Sequence, residues 1–356
     1  MLSPKTTDKS SFPVGEAEGL PFISVIIPVR NGEGRLETCL ASLQNQTYPK
    51  DRFEVIVADG RSVDRTVEIS KEFGAIVVDN PGLIVASGRN VGIKAAQGNL
   101  LAFTDDDCIV PPNWLANAER YLRDDHVGGV GGPTKLPESA TDFSKAVFIL
   151  FRWASLARYS VQSDVPLASD APDLPGGNVF YRARAVEEAG LYREELITAE
   201  DVDMNMRIIS EGYRLEYWPN LLVWHNKRDK PLSFFHQIRR FAIGRVQLGH
   251  RHRGAVRPLH TLMAAIAPLA LIGFGIAVAA GCAVYAMAVF LVALFSLLLA
   301  GLVSSKSLRL AFLCVPVVAI FTVAWSIGYI SGVFSPEKSI RVKRDIAQSK
   351  PLHDKG

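Results

Sequence analysis

Phe103-Thr104-Asp105-Asp106-Asp107-Cys108-Ile109-Val110-Pro111 is the stretch on which the reading of this chain turns. Just before it, Leu100-Leu101-Ala102-Phe103 is a short, continuous apolar run flanked by breakers, which predicts a buried strand. Three carboxylates stand at its end. Ligands bind at the C-terminal edge of an open α/β sheet, and adjacent like charges repel, so three acids packed there call for a compensating cation. Oxygen ligands suit Mg2+ or Mn2+, ions that usually share their coordination with a substrate phosphate. A solvated acidic turn is the competing account, and this stretch alone does not separate the two.

Outward from that strand the pattern repeats. Residues 22–28 form a first apolar run ended by Pro28, with Val29-Arg30-Asn31-Gly32 as a turn, and residues 34–47 carry Leu36, Cys39, Leu40 and Leu43 at helical spacing. Residues 53–58 predict a second strand with Asp59-Gly60 at its end, followed by a helix over about 64–73. Residues 75–78 predict a third strand, and a helix over about 84–97 leads back to the acidic stretch. Strands alternating with helices imply a largely parallel sheet with helices on both faces. Neither GxGxxG nor GxxxxGK[ST] occurs, so phosphates would be held by carboxylates and a metal rather than by a glycine-rich loop. Asp59 and Asp105–Asp107 both fall at strand ends, and this repetition favours a site over an accidental acidic turn.

Beyond Pro111 a helix is expected to about residue 123, then a glycine-rich strand or turn over 127–132. Residues 143–160 are apolar and aromatic and fit either a core helix or an interfacial helix touching lipid. Residues 161–174 read as a polar loop. Gly176-Gly177-Asn178 precedes a strand, where two glycines would let backbone approach a ligand; a plain hairpin turn fits equally. A helix at 183–189 ends at Gly190. Residues 199–208 begin a helix with Glu200, Asp201 and Asp203. One acid there serves the helix dipole, and another is available as a general base.

The charge balance of +3 matters less than its distribution. Residues 226–257 hold nine Lys or Arg and one acid, interleaved with Phe234, Phe235, Ile238 and Phe241. Residues 259–303 then contain no Asp, Glu, Lys or Arg. A spanning helix needs about 20 apolar residues, so this block fits two spans joined near Gly281-Cys282. A third apolar run covers 310–333, broken by Pro316. A basic amphipathic segment before spans is the expected form of a cytoplasmic-surface helix, and the spans argue against nucleic acid as its partner. Residues 1–20 lack an apolar signal region, so the first 250 residues are expected in the cytoplasm, at the inner membrane. The four cysteines lack a CxxC pair and read as reduced, packed thiols. Two spans return the chain to the cytoplasm at Lys306 and Arg309; a third would place the basic tail outside unless that segment is re-entrant.

In this order the motifs resemble those of glycosyltransferase family 2, with a GT-A fold and C-terminal membrane helices, and more loosely its exopolysaccharide (succinoglycan-type) members. The resemblance covers residues 22 to about 245. It implies a GT-A domain over 21–225 between a leader (1–20) and a basic interfacial segment (226–258), then membrane helices (about 259–280, 283–303 and 310–333) and a basic tail (334–356). It implies hexosyl transfer from a nucleotide-diphospho-sugar to a lipid-linked or other glycan acceptor, with Mg2+ or Mn2+. Pro28, Arg30 and Asn31 match the nucleotide-site turn, and Asp59 the second-strand motif. Asp105-Asp106-Asp107 matches the DXD motif, with Asp107 as main metal ligand, Asp105 as ribose or metal contact and Asp106 on the nucleotide-sugar side. Gly176, Gly177 and Asn178 match the acceptor-side glycine motif, and Glu200-Asp201 the ED motif, whose Asp is the catalytic base. Gln237-Ile238-Arg239-Arg240-Phe241 resembles QxxRW with Phe for Trp, which places Gln237, Arg239 and Arg240 on the acceptor and diphosphate side. Alternatives are a processive polysaccharide synthase, which generally needs more spans, a nucleotidyltransferase, or a non-catalytic nucleotide-sugar-binding protein.

Overall fold

Each apolar run of the first 220 residues is too short to bury its own surface, and together they close into one twisted sheet. The computed structural model describes residues 19–156, 173–196 and 198–334. Most of the expected leader, the polar loop up to residue 172 and the tail beyond 334 lie outside the described residues. In chain order the strands are β1 (Ile23–Val29), β2 (Phe53–Asp59), β3 (Ile76–Asp79), β4 (Leu100–Thr104), β5 (Cys108–Ile109), β6 (Val127–Gly131), β7 (Thr134–Lys135), β8 (Asn178–Arg182), β9 (Arg214–Tyr217) and β10 (Val223–His225). The helices are α1 (Glu33–Gln44), α2 (Thr66–Glu72), α3 (Val85–Ala95), α4 (Trp114–Tyr121), α5 (Asp142–Leu156), α6 (Ala183–Ala189), α7 (Glu200–Ser210), α8 (Pro231–Arg251), α9 (Pro258–Ala279), α10 (Ala283–Ser305) and α11 (Leu308–Phe334).

The main sheet has the order β3-β2-β1-β4-β8-β6-β9, and β8 alone runs against the rest. A small sheet, β5-β10-β7, stands beside it. All seven residues of β1 are buried, as expected of a strand covered on both faces. Two apolar clusters fill those faces, one with Leu36, Leu43 and Trp114, the other with Ile56, Phe103 and Tyr181. Pro28 lies inside β1 instead of ending it. The Val29 carbonyl accepts from Gly60 N–H on the β2 side, so the neighbouring Pro28 nitrogen faces β4. There the ladder has already ended at Ile26–Phe103, and a missing N–H costs nothing.

A third cluster joins α5, α8 and the apolar helices through Val147, Phe151, Phe234, Ile238, Val317 and Trp325. The expected choice between core and membrane surface for α5 therefore dissolves: it packs on α8 and α11, and Trp153 Nε1 donates to Ser304 Oγ of α10 at 2.8 Å. Helices α9, α10 and α11 are each long and apolar enough to cross a membrane. Helix α11 continues through Pro316 rather than breaking there. Its Gly328 and Gly332 lie against Arg239 and Val246 of α8, where a Cβ would collide or crowd, a close approach of the small-xxx-small kind. Cys39, Cys108 and Cys314 are buried free thiols as expected; Cys282 is exposed, because it sits at the turn between α9 and α10.

Candidate active site

The parallel strands deliver their loops to one edge, and hydrogen bonds lock those loops together. Asn31 N–H donates to Ser62 Oγ at 2.8 Å, Val63 N–H to Asn31 Oδ1 at 3.0 Å, and Gly32 N–H to Thr66 Oγ1 at 2.8 Å. Asn31 has φ +52°, a left-handed conformation that a short polar side chain tolerates. Asp59, nearly buried, accepts from Ser62 N–H at 3.1 Å. Pro28 is buried behind this turn and Arg30 is half-buried beside it.

The three consecutive acids diverge. Asp106 turns toward α1 and accepts from Arg35 Nε at 3.1 Å; burial outweighs that cation and pushes its carboxyl up to about 6. Asp107 faces His225, 3.2 Å from its Nε2. Burial raises this carboxyl too, but His225, Arg228 and Arg35 prevail and hold it at about 2. Ligating atoms of Asp105, Asp107, Cys108 and His225 all lie within 4.8 Å of one another. Burial pushes the Cys108 thiol far up, so it stays protonated and is a poor partner for a hard ion. Asp105, Asp107 and His225 remain as a set that could hold a divalent cation. Sequence reasoning missed His225, which reaches Asp107 only because β10 pairs with β5 and sets His225 opposite Cys108. Its one local signal was a histidine at the end of the apolar run 221–224.

Two residues further on, Lys227 is buried, its Nζ without a hydrogen-bond partner and 5.5 Å from the Phe151 ring centroid. Burial draws its ammonium down to about 8, while Asp107 and Asp105 pull the other way.

On the other side of the edge lies Gly176-Gly177. A Cβ on Gly177 would stand 3.0 Å from the Asp105 carboxyl carbon and closer still to an oxygen, and one on Gly176 would stand 3.0 Å from Asp201 Oδ2. Both glycines are required by close approach rather than by φ. Asp201 accepts from Gly176 N–H at 3.1 Å. Arg89 of α3, another residue that sequence reasoning missed, binds Glu200 Oε1 through Nη1 at 3.1 Å and the Gly176 carbonyl through Nη2 at 3.0 Å. Its guanidinium carbon lies 5.9 Å from the Phe103 ring centroid and 5.1 Å from that of Tyr192. Burial and the charge of Asp201 raise both Glu200 and Asp173 to about 7, against Arg89 in one case and Arg245 of α8 in the other.

Ala199, the residue before α7, has φ +65°, a conformation costing about 1–2 kcal/mol without glycine. We expect Ala199→Gly to be tolerated. Ala199→Val, β-branched at positive φ, should lower the melting temperature in detergent and reduce turnover; an unchanged melting temperature would refute the strain.

The Asn178 side chain is fully buried, Oδ1 accepting from Trp114 Nε1 at 3.0 Å and Nδ2 donating to the Pro133 carbonyl at 3.2 Å. Gln237, Arg239 and Arg240 lie on α8, whose tie to the edge is Thr198 Oγ1 donating to the Arg240 carbonyl at 3.1 Å.

The sequence model of Glycosyl transferase family 2 matches residues 24–190. The chain is 31% identical over 218 residues to the glycosyltransferase AglE of Haloferax volcanii, which covers 59% of this chain and 68% of that relative. It is 25% identical over 247 residues to the dolichyl N-acetyl-alpha-D-glucosaminyl phosphate 3-beta-D-2,3-diacetamido-2,3-dideoxy-beta-D-glucuronosyltransferase of Methanococcus voltae, over 61% and 70% of the two chains. Among solved structures, the mannosyltransferase PcManGT of Pyrobaculum calidifontis, in complex with GDP-Man and Mn2+, aligns with TM-score 0.54 at 21% identity, over 94% and 92% of the two chains. That last likeness is one of fold: the catalytic part is a GT-A domain, the architecture of enzymes that act on nucleotide-activated sugars. The chain belongs to glycosyltransferase family 2, and it carries its transferase domain on apolar helices suited to a membrane.

Proposed function

We propose that the protein transfers a sugar, with inversion, from a nucleotide-diphospho-sugar (UDP-linked in our reading) to an acceptor held at the membrane surface. The acceptor we favour is a polyprenyl-diphosphate-linked glycan of exopolysaccharide or cell-envelope synthesis. One observation carries this reading: carboxylates from distant parts of the chain, Asp105 and Asp201, both come up against the Gly176-Gly177 turn, where a Cβ on either glycine would crowd one of them.

In this reading Pro28, Arg30, Asn31 and Asp59 receive the nucleoside, and Asp106, held by Arg35, keeps the acidic loop against the nucleotide turn. Asp105, Asp107 and His225 hold a divalent cation; when bound, it supplies Lewis-acid stabilisation of the departing diphosphate. Asp201 accepts the proton of the acceptor hydroxyl, whose oxygen attacks the anomeric carbon from the face opposite the leaving group. An α-linked donor thus yields a β-linked product. Glu200, bound to Arg89, orients Asp201. An anionic carrier suits the cations of α8, where Arg245 lies in the field of Asp173 and Asp201 and Arg239 and Arg240 precede it on the same helix. The Methanococcus relative is named for a lipid-phosphate acceptor, which favours the same class here. We place the catalytic domain in the cytoplasm, because its basic α8 suits the anionic inner leaflet at about 1 kcal/mol per Lys or Arg. The third apolar helix packs along α8 and α5, and processive synthesis finds no support in a bundle of this size.

The test is nucleotide release by purified protein in detergent from a panel of UDP- and GDP-sugars with Mn2+ or Mg2+, with and without polyprenyl-phosphate and -diphosphate acceptors. Release from one donor that depends on the lipid acceptor is the expected result; release indifferent to every lipid would remove the acceptor assignment. Asp107→Ala and His225→Ala should each weaken Mn2+-dependent UDP binding at least about tenfold, since even outer-shell partners of a metal site cost about that much when removed. If His225→Ala bound UDP and Mn2+ as well as wild type, the histidine would not be a ligand.

A further inference from the structure

Helices α9 and α10 are exposed almost all round, as lipid-facing spans are, whereas α11 is covered along one side. Its contacts set it across the base of the other two rather than alongside them. If α9 leads into the bilayer and α10 leads back, the first turn of α9 and the last turn of α10 share one level. A third span would start at that level and run parallel to α9, so that its last third stood beside the turn at Gly281-Cys282. The reverse is seen. Trp325 Nε1 donates to the His260 carbonyl at 3.0 Å, and the hydroxyls of Thr261 and Tyr329 lie 2.8 Å apart, so the last third of α11 meets the first turn of α9. Its own first turn meets the end of α10, where a Cβ on Gly301 would stand 3.0 Å from Ala311 Cα. From Ala311 to Trp325 is about 21 Å of helix, and it runs from one base to the other.

Both ends of α11 are also tied to the catalytic domain. Arg309 Nε lies 2.9 Å from Asp142 Oδ2 at the start of α5, and Gly328 and Gly332 press on Arg239 and Val246 of α8. Facing outward is a stripe at helical spacing, Phe312, Pro316, Ala319, Val323, Ile327 and Ile330, with no polar side chain in it. An apolar stripe on one side and protein on the other suits a helix lying in the plane of the leaflet.

We propose that α11 does not cross the membrane but lies in the leaflet next to the catalytic domain, its stripe against the acyl chains of that leaflet and its other side carrying α5 and α8. Two spans, α9 and α10, then take the chain out and back. Lys306, Arg309 and the residues beyond Phe334, among them Lys338, Arg341, Lys343 and Arg344, all stay on the catalytic side, in keeping with the excess of Lys and Arg on cytoplasmic segments. A spanning α11 would put the basic tail on the far side, and it could not keep the contacts of Trp325 and Tyr329 with the first turn of α9.

Two measurements on the full-length protein test this, each in a Cys282→Ser background except where Cys282 is itself the probe. In sealed membrane vesicles of known orientation, a membrane-impermeant maleimide should label a cysteine added after Gly356 from the same side as Lys71→Cys, an exposed position on α2. Native Cys282 should label from the opposite side. In lipid bilayers, nitroxide labels at Phe312→Cys, Val323→Cys and Ile330→Cys should lie at one depth to within about 5 Å, one helical turn, read from their accessibility to oxygen and to a polar nickel chelate. A spanning α11 would put Val323 about 10 Å deeper than both of the others. That depth profile, or an added cysteine that labels together with Cys282, overturns the proposal. So does a Cys282 that labels together with Lys71→Cys, since the α9–α10 hairpin would then not cross.

Discussion

Asp201→Asn should abolish sugar transfer while leaving metal-dependent nucleotide binding in place. The substitution preserves shape, and the amide oxygen can still accept from Gly176 N–H as the carboxylate does at 3.1 Å. What it removes is the proton acceptor, a loss of about 10²–10⁴-fold in turnover for a general base. A second signature follows from charge. Asp201 is one of the causes, after burial, that push Glu200 and Asp173 to about 7. A carboxyl whose folded pKa is raised holds its proton more tightly in the native state. The associated stability is fully present below the unfolded pKa, near 4, and is lost as pH rises through about 7. Removing the Asp201 charge should shrink that decline, so melting temperatures of the variant between pH 5 and about 8 should fall less steeply than those of wild type. Near-normal turnover in the variant would show that the base lies elsewhere; equal pH slopes would mean that the three carboxyls do not share a field.

Arg89→Met carries the second large expectation. The guanidinium reaches Glu200 of α7 and the Gly176 carbonyl of the glycine turn at once. Its loss leaves a buried carboxylate and a buried carbonyl without partners. Breaking a buried pair from one side costs about 3–5 kcal/mol, enough to lower the melting temperature by several degrees and let the turn drift away from Asp201. Turnover should fall with it, because the two carboxylates would no longer be held across the same gap. Lysine cannot rescue the site, since a point-like ammonium does not span two acceptors as a planar fork does. Thermal unfolding and turnover of Arg89→Met and Arg89→Lys decide the matter; wild-type values for either variant would remove Arg89 from this role.

Much of the fold was legible because its signals are local. The run at 100–103 becomes β4 with all five residues buried, and the helical spacing of Leu36, Cys39, Leu40 and Leu43 becomes the buried face of α1. The expected largely parallel sheet is present, with β8 antiparallel between β4 and β6; which strand would run the other way was not legible, because apolar alternation records which face is buried and not which way a strand runs. Pro28 misled because a proline ends a strand only where its missing N–H would have been paired, and the β1–β4 ladder has already ended at Ile26–Phe103; α11 likewise continues through Pro316.

The candidate site divides along the same line. Aspartates at strand ends, a glycine pair before a strand and acids opening a helix are patterns of a few residues, and sequence alone singled out Asp59, Asp105–Asp107, Gly176-Gly177 and Glu200-Asp201. Only the tertiary structure brought His225 to Asp107 through the pairing of β10 with β5, drew Arg89 from α3 to bind the turn and α7 together, and buried Asn178 against Trp114. The physical reason is range: propensity, periodicity and charge repulsion act between neighbours along the chain, whereas burial, pairing register and desolvation are properties of residues that meet only after the sheet has closed.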